Sequence, residues 1–164
     1  MKNHLLFMLF ACIESKYIDT TFLNKWADTM ISCVDIPKTW LINLSLCNNL
    51  DCGLNVVGNE IISLGMQFDE EYVWLLMGFL CLRFQEGKIE RDDFQARIID
   101  AVDAHQPSGI DVENCKSIFK RMSDKGDEYC FDSIFLSCLE LSKKGFSNMI
   151  NIDMLRKEIF LFEQ

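Results

Sequence analysis

The sequence has little that interrupts a helix: only two prolines and eight glycines stand among its 164 residues. That scarcity excludes collagen-like and Pro/Gly-rich disordered architectures. Histidine is nearly absent too, at His4 and His105, and no CxxC occurs, so the usual zinc arrangements lack their ligands. Cationic residues are in deficit. Sixteen Lys and Arg face 25 acids, for a net charge of -9 and a pI near 4.7. Nucleic-acid affinity rests on Lys and Arg neutralising phosphates, so direct nucleic-acid binding is not expected. Patterns for nucleotide phosphates, dinucleotides, zinc proteases, serine hydrolases and calcium loops are all missing, which removes the most recognisable enzyme classes. The Asn43-Leu44-Ser45 sequon is read as accidental.

What is present is apolar and helical. Residues of apolar type make up 49% of the chain, enough for a core without metal or disulfide, and the length suits one domain over 1–164. Eight cysteines, at 12, 33, 47, 52, 81, 115, 130 and 138, mostly sit inside apolar runs such as LLFMLFACI and IFLSCLEL. There a reduced thiol behaves as a small hydrophobe, and the expected compartment is the cytoplasm. The closest pair is Cys47 and Cys52. The apolar run from Leu5 to Ile13 follows a single lysine and is far shorter than the ~20 residues of a membrane span. It is expected to form a buried first helix, with no membrane partner.

Asp19 caps a helix carrying Phe22, Trp26, Met30 and Cys33, and ending near Asp35. Trp40 to Cys47 fits both a half-buried strand and a helix, with helix favoured. NNLDCG reads as a turn before a helix over 54–64 with Val57, Ile61 and Leu64 inward. Asp69, Glu70 and Glu71 open a segment that is apolar almost all round. It should be a central helix, where Gly78 lets a neighbour come close, and Gly87 ends it. Asp111 caps a helix with Val112, Cys115, Phe119 and Met122 inward. The spacing then predicts a helix over 128–143 with Cys130, Ile134, Cys138 and Leu141 buried and Gly145 as its end, and a last helix over 153–162. An echo pairs Trp40, Trp74 and Phe131 with a cysteine seven residues on, then with Gly53, Gly87 and Gly145. The expected fold is therefore all-α, as an irregular helical bundle or a short stack of helical hairpins, with seven to eight helices.

One segment carries the charge. Residues 69–113 hold eleven acids and four bases, a net of -7 in about a quarter of the chain. Within it, a helix from Arg91 to His105 has two faces. Taking Asp92 as origin, Phe94, Ile98, Ala101 and Val102 fall between about 180° and 280°, and Asp92, Asp93, Asp100 and Asp103 between about 0° and 100°. An acidic face of this kind aids solubility or steers a cationic partner. Glu86 and Glu90 precede it; as carboxylates for metal they lack the Glu-x-x-His of helical di-iron sites, so neither metal nor other cofactor is expected. His105 is the one acid–base candidate, but it falls on the apolar side at a helix end, where a structural role is expected. Cys81 and Cys138 lie too deep among Leu, Phe and Trp to be nucleophiles. No catalytic residue is assigned.

The helix start DEEYVW and the acidic face of ERDDFQARIIDAVDAH, on a small acidic chain, resemble the immunity proteins of bacterial toxin systems, including contact-dependent growth inhibition. The resemblance implies a non-enzymatic protein, monomeric or weakly oligomeric, that binds a cognate toxin domain such as a basic nuclease and occludes its active site. Asp92, Asp93, Asp100 and Asp103, helped by Glu86 and Glu90, would then imitate the phosphates of the toxin's substrate. The alternative is a helical adaptor or scaffold that holds a peptide or protein without catalysis.

Overall fold

Apolar residues repeating at helical period dominate the chain, and every regular element among the described residues of a computed structural model is correspondingly an α-helix. The structure describes residues 2–124 and 131–151. The chain is all-α, with eight helices and no strand among those residues. They are α1 (Lys2–Glu14), α2 (Thr20–Ser32), α3 (Thr39–Ser45), α4 (Leu50–Ser63), α5 (Glu70–Gln85), α6 (Arg91–His105), α7 (Val112–Asp124) and α8 (Ser133–Ile150). The helix expected over 153–162 and the start expected at Glu128 lie outside the described residues, as does Cys130. Contacts divide the chain into two compact units. One holds the residues up to Gln67 and those from Lys144 onward, the other Phe68–Lys143.

In the first unit the N-terminal apolar run is the buried α1, with Leu5 to Leu9 and Ala11 to Ile13 all inside. Asp19 caps α2 as expected, its carboxylate accepting from Phe22 N at 2.7 Å. The ambiguous Trp40–Cys47 segment is helical as far as Ser45, with Leu41 and Leu44 buried on one side of α3. NNLDCG corrects the sequence reading. It is the opening of α4, because Asn49 is an N-cap whose side chain accepts from Cys52 N at 2.8 Å. Gly53 is consequently inside α4, where a Cβ would lie 2.6 Å from Leu23 Cδ2. Trp26 Nε1 donates to Met149 O at 3.0 Å, and Phe146 meets Tyr17 edge-on and stacks on Phe22.

In the second unit α5 is the central helix, with eleven buried residues between Tyr72 and Phe84. Asp69 caps it through Glu71 N and Tyr72 N. Gly78 provides the close approach anticipated for it: a Cβ there would sit 2.1 Å from Cys138 O. Against α5 lies a phenylalanine cluster, in which Phe94 stacks on Phe84 with centroids 4.5 Å apart and meets Phe119, Phe131 and Phe135. Asp111 and Asn114 cap α7 reciprocally, each side chain accepting from the other's backbone N–H. On α7, Cys115, Ile118 and Phe119 are buried, while Val112 and Met122 are half-buried.

α8 departs from its expected form in two ways. Gly145 does not end it: the helix continues to Ile150, and Gly145 is buried with Met8 Cε in the space a Cβ would take. Its buried stripe runs through Phe135, Cys138, Leu139, Ser142 and Met149, leaving Ile134 and Leu141 half-buried. The echo does not end in one kind of glycine. Gly53 and Gly145 pack within helices, and Gly87 takes φ +65 after α5.

Candidate functional site

The two faces of α6 follow from its 3.6-residue period. Phe94, Ile98, Ala101 and Val102 are buried, and Asp92, Asp93, Asp100 and Asp103 are exposed on the other side. The helix is positioned by its buried side, since Phe94 is fully enclosed in the phenylalanine cluster. Its start is fixed by the α5–α6 turn, in which Arg83 Nη2 donates to Lys88 O at 3.2 Å. It ends at Gln106 in the left-handed region, φ 45, immediately before Pro107.

Most acids of the 69–113 segment already have work inside their own neighbourhood. Asp69 and Asp111 cap helices. Glu70 grips Ser108, its two oxygens accepting from Ser108 N and Ser108 Oγ at 2.9 Å each. Those bonds hold the Glu70 carboxyl below its ordinary 4.5. Glu113 pairs with Lys116 at 2.6 Å.

Two of the six carboxylates expected to bind a partner are engaged in the same way. Glu86 pairs with Lys88 at 2.6 Å, and both oxygens of Asp93 accept from Arg97 Nε at 3.1 Å. Glu90, Asp92, Asp100 and Asp103 make no ion pair or side-chain hydrogen bond among the described residues. All four are exposed, and all belong to α6 or to the residue that opens it. Asp92, Asp100 and Asp103 share one face of α6, and Glu90 stands at the residue that opens it.

His105 is exposed at the end of α6, where its ring meets Tyr72 edge-on at 5.3 Å. Burial pushes the Cys81 thiol well up and the Cys138 thiol up to about 12, so both stay protonated at neutral pH. No group of three or more potential metal-ligating side chains occurs among the described residues, and no described helix is long and apolar enough to cross a membrane.

A feature the sequence reading missed lies in the first unit. Leu5, Leu6, Trp26, Met30 and Leu41 enclose an apolar cavity of about 90 Å³, with Lys38 and Glu60 also on its lining. The connector Val34–Ile36 forms part of the wall, although Ile36 is 80% exposed. The local signal was an isoleucine between two helices, next to Pro37, where a polar turn residue is usual. Comparison with protein-family models, curated proteins and solved structures finds no match.

Proposed function

We propose that this chain is an immunity-type inhibitor that acts in the cytoplasm by binding, without catalysis, and docks a basic toxin domain on the carboxylate face of α6. The observation that carries the reading is the set of four exposed carboxylates, Glu90, Asp92, Asp100 and Asp103, which are left without a cation of their own. A surface of this kind raises the encounter rate with a cationic protein and can occupy a groove built for phosphates. A nuclease domain is the partner whose chemistry fits it best. The protein itself contacts no nucleic acid in this scheme, and it works as a monomer or weak oligomer.

The test is co-purification with the tagged chain from its native operon, followed by affinity measured against salt. Reversing Asp92, Asp100 and Asp103 to Lys should weaken binding by on the order of tenfold or more and flatten the salt dependence. Unchanged affinity would overturn the electrostatic docking mode.

A second reading, a helical adaptor, draws on the apolar cavity of the first unit. At about 90 Å³ it suits one aliphatic side chain of a peptide, held as a buried anchor. Under that reading Ile36→Asp abolishes capture of the partner and the triple reversal on α6 leaves it intact.

A further inference from the structure

The seven described cysteines divide by surroundings. Cys12, Cys81, Cys115 and Cys138 are buried in apolar helix faces, where burial raises each thiol. Cys33, half-buried, closes α2. Cys47 and Cys52 differ from these in facing each other, their sulfurs 2.6 Å apart, inside van der Waals contact.

Their placement is determined on both sides. Cys47 follows α3, with its Sγ 3.4 Å from Asn43 O and its carbonyl accepting from Asn24 Nδ2 on α2 at 3.0 Å. Cys52 lies in the first turn of α4, where Asn49 caps its N–H. The α3–α4 corner thus holds the two thiols together by backbone and cap geometry. Cys47 is buried and Cys52 is half-exposed, so solvent and dissolved reagents reach Cys52 first. The pair is not part of a larger metal-ligating group among the described residues.

We propose that Cys47 and Cys52 are an oxidation site, converted by a hydroperoxide into a reversible disulfide. Cys52 attacks as the thiolate. Its sulfur bonds to one peroxide oxygen, the O–O bond breaks, and the other oxygen leaves as hydroxide or alkoxide and takes a proton from water. The sulfur is oxidised by two electrons to a sulfenic acid, and the peroxide is reduced. Cys47 then attacks the Cys52 sulfur, the S–O bond breaks, and the Cys47 proton leaves with the hydroxyl as water. Burial and the neighbouring Cys52 push the Cys47 thiol up to about 12, which disfavours it as the first attacker, while its sulfur 2.6 Å from Cys52 places it for the second step. A dithiol reductant reverses the product.

The purified full chain, first fully reduced, is treated with hydrogen peroxide and then alkylated, with intact mass and peptide mapping as readouts. The expected result is loss of two alkylatable thiols and of the mass of two hydrogens, with a linkage mapped between Cys47 and Cys52 and removed by dithiothreitol. In Cys47→Ser, a dimedone-type probe should label Cys52, and in Cys52→Ser neither the linkage nor a label on Cys47 should form. Retained alkylation of both thiols in the wild type, or a linkage mapped to other cysteines, overturns the proposal. A sulfenic acid trapped on Cys47 in Cys52→Ser overturns the assigned order of attack.

Discussion

Replacing Gly78 by alanine puts the packing of α5 to a direct test, because two effects of opposite sign compete there. Alanine favours a helix interior over glycine by about 1 kcal/mol. At a position with room, the substitution would stabilise the chain. At Gly78 a Cβ would lie 2.1 Å from Cys138 O, 2.1 Å from Ser142 Oγ and 2.7 Å from Cys138 C. Ser142 is buried and its hydroxyl donates to Leu75 O at 3.0 Å, so it cannot swing aside without breaking that bond. The Cys138 carbonyl is backbone, and it moves only if α8 moves. Overpacking of a filled core costs about 1–3 kcal/mol, and a clash with backbone belongs at or above the top of that range. Less the propensity gain, the expected net loss is roughly 2 kcal/mol.

For a chain of this length that corresponds to a fall in Tm of about 4–8 °C. Far-UV circular dichroism during heating, and during urea titration, would measure it. Gly58→Ala is the control, since its Cβ meets only the Phe10 ring edge at 3.3 Å, a side chain that can yield. That variant should be unchanged or more stable by up to about 1 kcal/mol. Gly78→Ala combined with Ser142→Ala should remain destabilised, because the Cys138 carbonyl is still in place. A Gly78→Ala chain as stable as the wild type would refute the close α5–α8 approach.

Further outcomes follow from particular contacts. Phe94→Ala empties the centre of the phenylalanine cluster and should cost about 3–5 kcal/mol in urea unfolding, the range for a large aromatic with no solvent exposure. Asn49→Ala removes the cap of α4 and should cost about 1 kcal/mol by the same measurement; no change would place the helix start elsewhere. Glu70→Gln should alter the acid limb of the stability curve. Because Ser108 holds the folded Glu70 carboxyl below its ordinary 4.5, its contribution is complete above that pH and is lost as pH falls through the folded value. The difference between wild type and Glu70→Gln should therefore shrink on acidification below about 4.5, and a difference constant over that window would refute the Ser108 clasp. Asp103→Lys should raise stability by a few tenths of a kcal/mol, since a cation suits the last turn of α6, and should weaken binding of a basic partner.

The features legible in the sequence are those set by period and local chemistry. The two faces of α6 could be read because apolar and acidic residues separate cleanly at 100° per residue, and α5 because nearly every position in it is apolar. Asp19, Asp69 and Asp111 announced helix starts since a cap acts within three residues of itself. The misreadings have two causes, an ambiguous local composition at Asn48-Asn49 and tertiary contact elsewhere. Asn48-Asn49 has the composition of a turn, and only the bond from Cys52 N to Asn49 identifies it as a cap. Gly53 and Gly145 look like breaks but sit in helices, where Leu23 and Met8 occupy the space a side chain would take. The buried stripe of α8 includes Ser142, whose partner Leu75 O is 67 residues away and invisible to any local pattern.

The same distinction bears on the charge. A net of -9 is a property of composition, but the partners of each acid are a property of the fold. Once caps, the Ser108 clasp and the ion pairs are assigned, the acids left without such contacts in the 69–113 segment are Glu90, Asp92, Asp100 and Asp103. Asp92 suits the first turn of α6, where the macrodipole favours a carboxylate. Asp100 and Asp103 do not. They are three residues apart on one face, where like charges repel, and Asp103 lies in the last turn, at the negative end of the dipole. Each costs the helix a few tenths of a kcal/mol and contributes nothing to packing, since both are exposed. An arrangement that the fold pays for and does not use is relieved when a cation arrives. The proposed docking of a basic partner is therefore tested first at the C-terminal half of α6, around Asp100 and Asp103, before the paired Glu86 and Asp93.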